Sequence, residues 1–220
     1  MSVSESPAQG YELRDPEVRL MLEVRDDNAA AFEELVLRYQ TRLVAVLEHL
    51  MGSRDQAEDL AQDVFLRVYR SRKAYVPTAK FSTWLFTIAN NVALNARRTL
   101  SRRKEVNLEV RESGPQGASP MDHMLAVSSG QMPTRQLDKA EMRDIIRLAI
   151  GALNERQRMA VLLNKFEGMS YADIAEVMEM TPKAIKSLLS RARVNLKEVL
   201  EPYLETGHRP TGESLRQSDG

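Results

Sequence analysis

Apolar residues along this chain recur at helical intervals, and they do so in two separate blocks. In the first block Phe32, Leu35, Val36, Tyr39, Leu43, Val46, Leu47 and Leu50 fall three or four residues apart, which predicts a helix over about 29–51. Gly52 ends it and Ser53 can cap the next. That next helix runs to about Ser71 with Ala57, Leu60, Ala61, Val64 and Val68 on one face. Ahead of both, Asp15-Pro16 opens a short helix that closes near Asp26-Asp27-Asn28. A turn over Ala74-Tyr75-Val76-Pro77-Thr78 leads into a fourth helix, whose stripe is Phe81, Trp84, Leu85, Ile88, Ala89 and Val92.

Between residues 105 and 137 the periodicity fails. Gly114-Pro115, Ser119-Pro120 and Ser128-Ser129-Gly130 are turn and linker chemistry, so the stretch reads as a flexible linker rather than a buried loop. Its middle, Met121 to Val127, leaves open a helical turn or a docked segment. Helical spacing resumes over 138–204. One helix covers about 138–151, and Asn154 with Gln157 forms a capping box for a second that ends at Gly168. Ser170 with Asp173 starts a short third helix ending near Met178. Thr181 caps the last helix and Pro182 occupies its first position, where the missing N–H costs nothing; Pro202 is expected to stop it. The expected fold is all-α. Two small helical domains, 15–104 and 138–204, are joined by the flexible linker 105–137 and flanked by a disordered N-terminus, 1–14, and tail, 205–220.

Composition narrows the function. The chain has 220 residues and no cysteine, which excludes disulfide frameworks, thiolate metal sites and cysteine nucleophiles. The three histidines, His49, His123 and His208, lie too far apart for a metal site, so no metal or cofactor is expected. No apolar run nears the ~20 residues of a membrane helix, and the polar start is not a signal peptide, so a cytoplasmic chain without membrane insertion is expected. Net charge is zero, but the charges are sorted: 71–104 carries eight basic residues and no acid, and 181–197 carries five and no acid. Two acid-free basic stretches suit two contacts with a polyanion better than two ordinary solvated faces.

Each stretch has a recognisable setting. A short helix, a tight turn and a longer capped helix from Pro182 make a helix-turn-helix, from Ser170 to Leu189 and beyond. On the last helix Ile185, Leu189, Ala192 and Leu196 face a core, leaving Lys183, Lys186, Ser187, Ser190, Arg191, Arg193, Val194 and Lys197 for a major groove. In the first block, Thr83, Thr87, Asn90, Arg97 and Ser101 lie away from the apolar stripe, with Asn91, Asn95 and Arg98 beside them. Asn forms helices poorly, and amides suit base edges as arginines suit phosphates. Trp84 reads either as core or as a stacking platform for an unpaired base. A third surface is acidic: Asp55, Glu58, Asp59 and Asp63 surround Phe65 and Leu66, which are expected to be exposed as a protein-docking surface. The helix macrodipole accounts for Asp55 and Glu58 but not for the apolar pair.

Three motifs in order carry a resemblance. Asp55-Gln-Ala-Glu-Asp-Leu-Ala-Gln-Asp-Val-Phe-Leu-Arg-Val-Tyr69 resembles the core-polymerase-binding segment of bacterial sigma factors, and Phe81-Ser-Thr-Trp-Leu-Phe-Thr-Ile-Ala-Asn-Asn-Val-Ala-Leu-Asn95 resembles their −10-reading and melting segment. Leu153-Asn-Glu-Arg-Gln-Arg158, Glu167-Gly-Met-Ser-Tyr-Ala-Asp-Ile-Ala175, Ala184-Ile-Lys-Ser187 and Arg191-Ala-Arg193 resemble the −35 module. With no domain between the two blocks, the chain is similar to the extracytoplasmic-function group of the sigma-70 family. The resemblance implies a non-enzymatic initiation factor that binds core RNA polymerase at the beta-prime clamp and beta flap and opens promoter DNA. It implies polymerase contacts at Asp55, Glu58, Asp59, Gln62, Asp63, Phe65, Leu66 and Tyr69, and −10 contacts at Lys80, Ser82, Trp84, Asn90, Asn91, Asn95, Arg97 and Arg98. A base flipped from the −10 strand would enter a pocket formed partly by the loop before Phe81, and an anti-sigma factor would be a further partner. Lys183-Ala184 and Leu188 replace the family's usual Gly-Thr and Arg, so the family's −35 sequence does not carry over. A free-standing helix-turn-helix regulator is the competing reading, and it would bind promoters tightly without polymerase. A small helical enzyme is the third reading, and it finds no Cys, His pair or phosphate-cradling Gly loop here.

Overall fold

The computed structural model describes residues 15–111 and 134–206, among which eight α-helices and no strand occur. They are α1 (Pro16–Arg25), α2 (Ala29–Met51), α3 (Arg54–Ser71), α4 (Phe81–Arg111), α5 (Thr134–Ala152), α6 (Glu155–Lys165), α7 (Tyr171–Val177) and α8 (Pro182–Thr206). A 3-10 turn, Arg72–Ala74, follows α3. The N-terminal segment 1–14, the linker residues 112–133 with Met121–Val127, and the tail beyond Thr206 lie outside the described residues.

Local chemistry sets the helix ends. Asn28 accepts from the N–H groups of Ala30 and Ala31 to start α2, and Gly52 closes it in the left-handed region at φ 75°. Asn154 with Gln157 and Ser170 with Asp173 both form reciprocal capping boxes. Thr181 Oγ1 accepts from Ala184 N–H to start α8. Asp15 does more than a single cap. One of its oxygens accepts from Glu17 N–H at 2.9 Å, and the other accepts from Phe81 N–H at 3.1 Å. One carboxylate thus starts α1 and fixes where α4 begins.

Four helix ends differ from expectation. Helix α4 continues past 104 to Arg111, and α5 starts at Thr134 rather than 138, because these stretches contain good helix formers and no Gly or Pro. Helix α6 ends at Lys165, and Gly168 instead takes a left-handed turn at φ 67° beyond it. Helix α8 runs through Pro202 to Thr206; near a helix end proline removes one backbone bond and does not bar the last turn.

Helices α1 to α4 surround a core built from Val18, Met21, Leu35, Leu43, Leu47, Val64, Phe81, Leu85 and Phe86, with Tyr39 edge-on to Phe81 at 5.2 Å. Helices α5 to α8 bury Ile145, Leu153, Leu162, Leu163, Ile174, Ile185, Leu189 and Ala192. The two units touch: α7 lies against α4, while α5 and α6 lie against α2. Arg158 is central to this contact. Its guanidinium donates to the carbonyls of Ile150, Gly151 and Leu153, closing the end of α5, and to His49 O in the last turn of α2 at 3.3 Å. Burial lowers its pKa, with Arg97 adding to the effect and Glu155 opposing it. His49 stacks at 5.9 Å on Phe166 beyond α6.

Replacing Arg158 by Leu leaves several partly buried carbonyls without a donor. The expected loss is ~2–4 kcal/mol in urea unfolding, at ~1–3 kcal/mol per stranded group with partial rescue by water.

Burial holds the His49 imidazole below its ordinary range, helped by Arg147 and Arg158 and opposed by Glu48. The folded state therefore takes up the proton less readily than the unfolded one. The resulting stability is complete above the unfolded value of about 6.5 and is lost as pH falls through the lowered one. Urea midpoints should fall from about pH 7 to 5, and His49→Gln should flatten that fall. Asp27 and Asp173, whose carboxyls lie below their usual range, act only at lower pH.

Candidate nucleic-acid interface

The face of α4 that points away from its own core is polar, and the second unit covers part of it. Asn90 donates from Nδ2 to Val177 O at the end of α7 at 3.3 Å. Lys80, just before α4, pairs with Asp173 at 2.9 Å. Arg97 pairs with Glu155 at 2.5 Å and also donates to Leu50 O. Asn91, Asn95 and Arg98 remain exposed, and Ser82 is half-buried. Thr83 was expected on the open face but is fully buried, and its Oγ1 has no partner among the described residues. Thr87 turns its hydroxyl back to Thr83 O.

Trp84 is half-buried between Tyr75 at 4.8 Å and Phe81 at 6.1 Å. It is therefore core on one side and reachable on the other. Burial raises the Tyr75 pKa, with Asp15 adding to it, and the Tyr75 hydroxyl lacks a partner among the described residues.

In the helix-turn-helix, α7 and α8 are joined through Glu179, a non-glycine residue in the left-handed region at φ 53°. Ile185, Leu188, Leu189 and Ala192 are buried, so α8 has one face locked into its core. Lys183, Lys186, Ser187, Ser190, Arg191, Arg193 and Lys197 are all exposed. Arg193 donates to Tyr171 Oη at 3.2 Å, and Lys197 pairs with Glu201 at 3.4 Å one turn on. Leu188 points inward and takes no part in the open face.

On α3, Asp55, Glu58, Asp59, Gln62, Leu66 and Tyr69 are exposed and Asp63 is half-buried. Arg54 engages Glu58 and Arg67 engages Asp63, each one turn away. Tyr69 stacks on Phe32 at 5.0 Å and carries the Arg72 guanidinium 4.0 Å from its ring centroid. Phe65 corrects the expectation of an exposed apolar pair. It is only 9% exposed and belongs to the core, because Ala61, Phe65 and Val68 follow the same inward helical spacing.

Comparisons with known proteins match this layout. The Sigma-70 region 2 family covers residues 35–103 and the Sigma-70, region 4 family covers 143–196. The RNA polymerase sigma-H factor of Pseudomonas aeruginosa is 30% identical over 87% of this chain and 97% of its own length. The chain belongs to the sigma-70 family, in its extracytoplasmic-function group. Within that group, the sigma-E factor of Haemophilus influenzae is 29% identical over 84% of this chain and 95% of its own. The solved sigma factor RpoE of Bartonella quintana, in complex with the anti-sigma factor NepR, superposes with a TM-score of 0.55 at 26% identity, over 77% of this chain and 96% of that one. The structure of CnrH with the cytosolic domain of CnrY shares the fold at a TM-score of 0.60 and 21% identity, over 83% and 96% of the two chains. These relatives are transcription initiation factors rather than enzymes. Among the described residues of this sigma factor, no helix is long and apolar enough to cross a membrane.

The long-range partners of Asp15, Glu155, Glu167 and Asp173 escape a residue-by-residue reading of the sequence. Glu155 and Asp173 are first-turn acids that the helix dipole already accounts for, and nothing local marks Asp15 or Glu167 as long-range partners.

The buried Phe65 gives a sharp test of the acidic surface. Phe65→Ala should cost ~3–5 kcal/mol in unfolding, whereas Leu66→Ala should stay within about 0.5 kcal/mol of the parent. Urea titrations of both single variants measure the difference.

Proposed function

We propose that this chain binds core RNA polymerase in the cytoplasm, directs it to promoters by reading −35 and −10 elements, and helps to melt the DNA. The observation that carries this reading is the ordered match to regions 2 and 4 in a chain spanning 97% of a sigma-H factor. Residues 15–104 serve polymerase binding and −10 recognition, and residues 138–204 serve −35 recognition. On α3, Asp55, Glu58, Asp59, Gln62, Asp63, Leu66 and Tyr69 form the docking surface; Phe65 supports it from within. Lys183, Lys186, Ser187, Ser190, Arg191, Arg193 and Lys197 meet a closed major groove, where Lys and Arg supply phosphate contacts and guanine readout. Lys80, Ser82, Trp84, Asn90, Asn91, Asn95, Arg97 and Arg98 hold the opened −10 strand. An anti-sigma factor is a further partner, supported by the solved relative that carries one.

Opening DNA costs ~1.4 kcal/mol of stacking per step, so the protein must hold one strand to recover it. Run-off transcription with core polymerase, with and without this chain, tests the function; tight promoter binding without polymerase would favour a free-standing regulator. Asn91→Ala or Asn95→Ala should still form closed complexes but show weaker permanganate reactivity of unpaired thymines. A template already melted at −10 should partly restore the signal. Equal loss on duplex and bubble templates would assign these residues to the fold alone.

A further inference from the structure

Among the described residues, every ion pair between the two units has its base in the first and its acid in the second. Lys80 meets Asp173, Arg97 meets Glu155, and Arg42 meets Glu167 at 2.5 Å. The Glu167 side chain is 2% exposed, so the contact encloses it. Asn90 is held by Val177 O in the same seam. Next to these contacts, Arg97, Arg98, Arg102 and Arg156 line a cleft of about 770 Å³ with Asn90, Leu50 and Met159. The outer face of α8 stays open throughout, from Lys183 to Lys197.

We propose that the second unit inhibits the first within the same chain, its acids occupying the cations and its Val177 carbonyl the Asn90 amide that an opened −10 strand requires. Carboxylates stand where phosphates would lie, so strand and second unit compete for Lys80, Asn90 and Arg97. The inference rests on assigning that face to the −10 strand. The duplex-reading helix is not masked, and the inhibition therefore falls on strand capture rather than on −35 contact. The bases are about a third or more exposed, so each pair is screened and weak. Three such pairs together shift the closed-to-open ratio by roughly tenfold, a bias that binding to polymerase can overcome.

The absence of cysteine makes the test direct. Gln56→Cys on α3 and Glu198→Cys on α8, both exposed, take spin labels in the full chain. Pulsed electron spin measurements at low salt should give one narrow distance. The added pair Glu155→Gln and Glu167→Gln, or high salt, should broaden and lengthen it, with circular dichroism unchanged. The same double variant, without labels, removes two of the three pairs and should bind a fluorescent single-stranded oligonucleotide roughly fivefold more tightly and raise run-off transcript at limiting chain. A broad distance in the parent, or an unchanged one in the variant, overturns the closed state. Opening without any gain in strand binding overturns the inhibition. If neither chain supports transcription with core polymerase, the sigma-factor reading fails while the distances still report on closure.

Discussion

Arg158 is the interaction on which the arrangement of the helices most depends. An arginine fork offers five donors in a fixed plane, and here that plane serves three carbonyls at the end of α5 and one at the end of α2. Helix ends leave carbonyls without partners, and two helices end close to this side chain. A lysine would place a single ammonium there and could not span the same set. One guanidinium therefore closes the second unit's first helix and ties that unit to the first, alongside the ion pairs on α4 and α2.

Much of the fold was legible because helix ends are written in local chemistry. Gly52, Asn154 with Gln157, Ser170 with Asp173, and Thr181-Pro182 all act where their residue types predict. Pro202 and the stretch after Lys104 were misread for a related reason, since stop signals are biases that neighbouring helix formers can outweigh. Phe65 departs from expectation for a different reason. A stripe through Val64 and Val68 passes one position beside Phe65, which sits squarely on the row of Ala61 and Val68. The buried stripe on a helix is wide enough to include it.

The candidate site was legible in its residue types and not in its pairings. Amides and bases on α4 were visible as a polar face, yet that Asn90 meets Val177 O, or Lys80 meets Asp173, depends on contacts across about ninety residues of chain. Such contacts leave no periodic mark. Asp15 teaches the same lesson, because its second oxygen serves Phe81 N–H, 66 residues away. That bond ties the start of α1 to the start of α4, between Tyr75 in the preceding turn and Trp84 in the first turn of the helix.

The zero net charge of the chain acquires a physical meaning in this arrangement. A polyanion-binding surface repels itself and is costly to keep bare, whereas an acid-bearing partner in the same chain neutralises it until nucleic acid arrives. Glu155, Glu167 and Asp173 do this for the first unit, and Glu155 and Asp173 also complete the helix ends on which they sit. Helix α8 has no such cover. On the proposed reading its basic face meets a duplex whose phosphates are already fixed in space, so a rigid helix held by Ile185, Leu189 and Ala192 suffices. A melted strand has no fixed shape, and a face that holds one must compete with every other anion within reach. The unequal treatment of the two faces follows from that difference between duplex and strand.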